Sequence, residues 1–137
     1  MPANTLPIFT SVPEIQWGIS ATTANTTKTL TSGIIYPIFT GGTNGSFVQR
    51  MRFRTLGTNV VTVARVWINN GQTTTTETNN TLWDEVTLPA TTVSEVAAQT
   101  PIEIPLNFAL PANYVLYVTI GTSVAAGYDI TVIGGDY

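Results

Sequence analysis

The 137-residue chain contains no cysteine and no histidine. The first absence removes disulfides, thiol nucleophiles and thiolate metal sites together. With the second, triads of the Ser–His–Asp and Cys–His types are excluded as well. Charge is scarce: Asp, Glu, Lys and Arg make up 9% of the residues, against roughly 25% in an average soluble domain. The net charge is −3, with five Lys and Arg in all. A non-specific nucleic-acid binder needs a basic footprint that displaces counterions from phosphates, so a nucleic-acid partner is not expected. No apolar run is long enough to cross a bilayer, and no membrane partner is expected either. Met1-Pro2-Ala3-Asn4-Thr5 has neither a basic region nor an apolar signal core, which points to synthesis in a host cytoplasm.

What the chain does have is apolar and β-branched. Hydrophobic residues make up 43%, too many for a disordered chain of such low net charge. Threonine accounts for roughly a fifth of the sequence, far above ordinary usage. It is stiff at its first side-chain torsion and suits the solvated face of a sheet. The length fits one domain. Pro2, Pro7 and Pro13 punctuate residues 1–13, blocking helix and central strand and predicting an extended arm. Its Leu6, Ile8 and Phe9 are candidate contact residues, packed along their own domain or on a neighbouring subunit. Residues 14–137 are expected to form one β-sandwich.

Period-two alternation broken by turn residues runs through that region. It predicts eight strands near 14–20, 29–39, 46–55, 60–69, 81–88, 101–106, 114–121 and 128–133. In the first, Ile15, Trp17 and Ile19 share a face that reads as core. Pro37 and Pro101 with Pro105 mark the second and sixth as edge strands. In the third, Phe47, Met51 and Phe53 face one way, with Arg50, Arg52 and Arg54 on the other. The fourth is apolar on both faces (Val60, Ala64, Val66 and Ile68 against Val61, Val63 and Trp67), so its second face should meet a loop, another layer or another subunit. In the fifth, Leu82, Val86 and Leu88 are expected inside. One turn of helix is allowed near 94–98. Eight strands with long connections and no further helix call for an antiparallel sandwich or barrel of jelly-roll type.

Few groups can carry chemistry. Asp84 and Glu85 are adjacent, so on a strand they point to opposite faces and cannot flank one bond. Gly41-Gly42-Thr43-Asn44-Gly45 lacks the Gly-Lys-Ser/Thr ending of a phosphate loop and reads as a tight turn. No dense oxygen-ligand loop for calcium is present. No enzyme activity, metal or cofactor is expected. The concentrated charge feature is Arg50, Arg52 and Arg54, three of the four arginines, forming a ridge about 13–14 Å long on a strand. It either docks on an acidic protein surface or a carboxylate-bearing glycan through bidentate contacts or pairs with carboxylates on neighbouring strands. Trp67 and Trp83 sit opposite the better core positions of their strands. They serve a protein interface or a sugar-stacking platform, or else lie under a loop.

Asn79-Asn80-Thr81-Leu82, Leu88-Pro89-Ala90-Thr91-Thr92, Leu110-Pro111-Ala112-Asn113-Tyr114 and Gly134-Gly135-Asp136-Tyr137 resemble small proteins encoded among tailed-phage virion genes, including jelly-roll head decoration, or cement, proteins. The resemblance runs from about Gly41 to the end. It implies a homotrimer on the capsid exterior of the virion, bound to the major capsid protein and stabilising the assembled head. A receptor- or glycan-binding module of a tail fibre or baseplate is the alternative.

Overall fold

The computed structural model describes residues 10–137. The eight strands are β1 (Val12–Trp17), β2 (Tyr36–Thr40), β3 (Ser46–Thr55), β4 (Thr62–Asn69), β5 (Asn80–Leu88), β6 (Ile102–Leu110), β7 (Val115–Ile120) and β8 (Tyr128–Asp136), with one 3₁₀ turn at Glu77–Asn79. They form two four-stranded antiparallel sheets, ordered β1-β8-β3-β6 and β2-β7-β4-β5. The pairs β1·β8, β2·β7, β3·β6 and β4·β5 are nested, and successive pairs alternate between the sheets. This is one long antiparallel ribbon, doubled at the β4–β5 connection and rolled into a sandwich: a jelly roll.

The alternating residues of both sheets meet between the layers. Met51, Phe53, Ile104, Leu106, Ile130 and Val132 come from the first sheet, and Ile38, Phe39, Ala64, Val66, Leu116, Val118 and Ile120 from the second. Burying side chains of this size stabilises by about 1.5–3 kcal/mol each before entropy is counted. The proline-marked strands β2 and β6 are indeed edges, where a missing N–H leaves no gap in the ladder. Residues 94–98 form a bend rather than a helical turn.

Bulges on β2, β3 and β5 depart from simple alternation, the extra residue on β2 being Ile38. On β3, Val48 pairs with Gly134 and Arg50 with Ile133, leaving Gln49 as an extra residue against β8. The phase of the strand changes there: Ser46 and Val48 are buried before it, Met51 and Phe53 after it. Phe47 therefore does not share the inward face with Met51 and Phe53. On β5, Val66 pairs with Asp84 and Trp67 with Leu82, so Trp83 is the extra residue. Leu82 is consequently exposed rather than inside.

The second face of β4 is covered by the chain itself. Ala64 and Val66 point into the sandwich, while Arg65, Trp67 and Asn69 lie on its other side and are all buried. The segment 18–35 is fastened to this sheet at two points. Ala24 forms a parallel bridge with Ile120, and the Asn80 side-chain amide donates to the Thr29 carbonyl at 3.3 Å. The Asn25 amide closes the segment on itself, donating to the Ser32 and Ile34 carbonyls at 2.8 and 3.0 Å. Leu30 is buried there, outside the core between the sheets. A loop therefore supplies the second layer that the two-faced apolar pattern requires.

Candidate interaction surface

β1 is the outermost strand of the first sheet, and its apolar phase points away from the sandwich. Ile15, Trp17 and Ile19 are 59%, 69% and 76% exposed, the reverse of the core role expected for them. Their polar neighbours turn toward the rim. Gln16 accepts from the Thr40 N–H at 2.9 Å and donates to its carbonyl at 3.1 Å, completing the open edge of β2. Gly18 allows the close approach of Pro37, whose carbonyl oxygen would lie 2.4 Å from a side-chain carbon there. Alternation separates two faces of a strand; the strand's place in the sheet decides which is inward.

The ladder register gives the outward face row by row. Ile133 of β8 stands between Ile15 and Arg50, and Arg50 is opposite Pro105 of β6. In the next row Trp17, Thr131, Arg52 and Glu103 follow one another across the sheet. Arg54 pairs with Asp129 in a third. With strands about 4.8 Å apart, an indole and a guanidinium lie roughly 10 Å from each other on one surface.

Each arginine of the ridge has a partner within the chain. Arg52 donates from Nε to Glu103 at 2.6 Å, Arg50 approaches the other oxygen of that carboxylate at 3.5 Å, and Arg54 donates to the Gln99 carbonyl at 2.6 Å. The Arg52 hydrogen bond, with the charges of both arginines, holds the Glu103 carboxyl below its ordinary value despite a smaller opposing effect of desolvation. One carboxylate thus serves two guanidiniums, and the side chains of Arg50 and Arg52 remain 46% exposed.

The tryptophans divide. Trp67 is 3% exposed, with its indole N–H donating to the buried Thr119 hydroxyl at 3.0 Å. It is a packed residue of the covered face, not an interface residue. Trp83 is 49% exposed, its ring 4.9 Å from that of Phe108 and inclined at 59°. The contact ties the β5 edge of one sheet to the β6 edge of the other. Leu6, Ile8 and Phe9 lie outside the described residues.

Two shallow concavities accompany these features. One, of about 320 Å³, is lined by Gln49, Arg50, Glu103, Ile104, Pro105 and Asn107 beside the β3 bulge. The other, of about 270 Å³, has Asn70, Asn79, Asn80 and Tyr114 among its walls. Its amides are engaged internally: Asn79 donates to the Thr73 carbonyl, Asn80 to those of Thr29, Thr74 and Thr76, and Asn70 to the Asn79 side chain. They fasten the 70–80 excursion rather than face a ligand. Sequence reasoning missed Gln49, Glu103 and Asn107. The detectable signal was the run Val48-Gln49-Arg50, where a polar residue falls in the apolar phase and an apolar one in the cationic phase.

Fold and surface together define a small jelly-roll protein with one broad sheet face, apolar along an edge and cationic along its middle. No family model matches the chain, and no curated protein matches it. Among solved structures it is similar to a chain in the structure of infectious bursal disease virus, Gt strain, with 15% identity, a TM-score of 0.35 and 98% of this chain covered. This chain spans 36% of that viral chain.

Proposed function

We propose that this protein is a non-enzymatic virion structural protein: a decoration, or cement, protein of a tailed phage that docks on the major capsid protein through the outer face of its first sheet. The observation that carries the reading is Ile15 and Trp17 exposed on the same face as Arg50 and Arg52. Interfaces draw most of their binding energy from a few buried Trp, Tyr and Arg anchors, and here two of those types share a surface. An arginine ridge suits acidic partners because guanidinium and carboxylate match in shape as well as charge. Modest individual contacts suffice when many copies engage one particle. Self-association into a homotrimer belongs to the same proposal and is tested by sedimentation of the purified chain, alone and released from particles.

The experiment is reconstitution. Purified protein is added to heads lacking it, and occupancy and the temperature of DNA release are measured. The expected result is binding with a raised release temperature. Trp17→Asp and Arg52→Glu should each weaken occupancy by about tenfold or more, the loss of an interface anchor. Full occupancy by both variants would overturn this choice of face. Binding to glycans or cells with indifference to heads would replace the reading by the tail-module alternative.

A further inference from the structure

We propose that the concavity beside the β3 bulge is a carboxylate-binding pocket, which receives an Asp or Glu side chain of the protein surface on which this face docks. The inference rests on the docking reading and adds the chemistry of its anchor point.

A regular strand alternates its side chains between faces. The bulge breaks that rule, and Gln49 and Arg50, consecutive in sequence, are both exposed. β6 is irregular at the same level. Val48 pairs with Phe108 and Arg50 with Pro105, so two residues, Leu106 and Asn107, oppose Gln49. Asn107 takes a left-handed backbone, φ 53°, which is uncommon for a side chain other than glycine though easiest for asparagine. Two neighbouring strands thus deviate together, and the hollow of about 320 Å³ lies where they do so. That is roomier than a single water needs and near the lower end of ligand pockets.

Its polar walls are the Arg50 guanidinium, the Gln49 and Asn107 amides and the Glu103 carboxylate. Arg50 offers a guanidinium whose contact with Glu103 is long, 3.5 Å, because Arg52 holds that carboxylate at 2.6 Å. Among the described residues, neither the Gln49 nor the Asn107 side-chain amide has a hydrogen-bond partner, and each carries an NH₂ group. Two guanidiniums against one carboxylate leave a single uncompensated positive charge. One planar monoanion matches that charge and the fork of Arg50; a doubly charged phosphate would be under-neutralised. The remaining walls, Ile104 and Pro105, are aliphatic. Among the described residues no aromatic ring lines the hollow to stack on a sugar, so an acidic protein side chain fits better than an acidic glycan.

The test is a titration of the isotope-labelled full chain, following the side-chain NMR signals of Gln49, Asn107 and Arg50. The probes are acetyl-Gly-Glu-Gly-amide, its Gln counterpart and glucuronic acid. The glutamyl peptide should shift all three signals with an affinity of order millimolar, and the glutaminyl peptide should bind about tenfold more weakly. Arg50→Gln should abolish the response. Asn107→Gly, which accepts the backbone angle, should weaken it severalfold. Equal responses to the two peptides, or no shift at the amides, would overturn the pocket. Glucuronic acid binding about tenfold more tightly than the peptide would overturn the protein-side-chain assignment. No particle enters this experiment, so its failure is separable from a failure of docking.

Discussion

Trp17 and Trp67 show what a single side chain reports. Both alternate with apolar neighbours, yet one is 69% exposed and the other 3%. Trp67→Ala should destabilise the fold by about 3–5 kcal/mol, since it empties a packed site and strips the Thr119 hydroxyl of its partner. Trp17→Ala should stay within about 0.5 kcal/mol of the parent. Urea midpoints measure both. From sequence Trp17 reads as core and is exposed, whereas for Trp67 burial under a loop stands beside an interface role and is what the structure shows; which segment covers the rear of β4 is encoded by no local pattern. The positions of the arginines were legible, while Glu103, which binds two of them, lies some fifty residues away and is found only through the ladder. Its lowered pKa has a testable sign. A carboxyl held below its unfolded value adds stability above that value, about 4.3, and loses it as pH falls through the folded one. Glu103→Gln should therefore lower the urea midpoint at pH 7 by an amount that shrinks as pH falls below about 4.3, a trend that a merely steric effect would not show.

At the scale of elements, strands and edges were legible and bulges were not. β3 spans the residues that its alternation predicts, and the prolines of β2 and β6 sit on edges. β6 and β8 run longer than their apolar runs, since pairing with β3 carries less apolar residues into the ladder. Bulges are set by the mismatch of two strands' patterns and need both partners to be seen. Gly134 gives the β3 bulge a direct test. A side-chain carbon on it would lie 2.1 Å from the Phe47 carbonyl oxygen, and the nearest atoms are all β3 backbone with no flexible side chain to yield. Gly134→Ala should cost about 1–3 kcal/mol or more, with loss of the Gln49 and Asn107 signals from their native positions. A variant as stable as the parent would mean that the strands can slide past each other at this point.

For the whole molecule, the nested pairing has a kinetic signature. The hairpin β4·β5 closes locally, but β1·β8 joins Val12 to Asp136 and β2·β7 joins Tyr36 to Val118. Contacts so distant in sequence demand loop closure before they stabilise anything. Refolding is expected over about milliseconds to seconds rather than microseconds, and stopped-flow tryptophan fluorescence would show it; a microsecond phase carrying the full amplitude would contradict the expectation. The same ribbon brings positions far apart in the chain to one corner: the Ser11 N–H donates to the Asp136 carbonyl at 2.8 Å. A short peptide joining these two places, with the backbone reopened in the polar 72–76 stretch of the β4–β5 connection, would yield a circular permutant carrying both sheets intact and presenting its new ends on the same end of the sandwich as the joined positions.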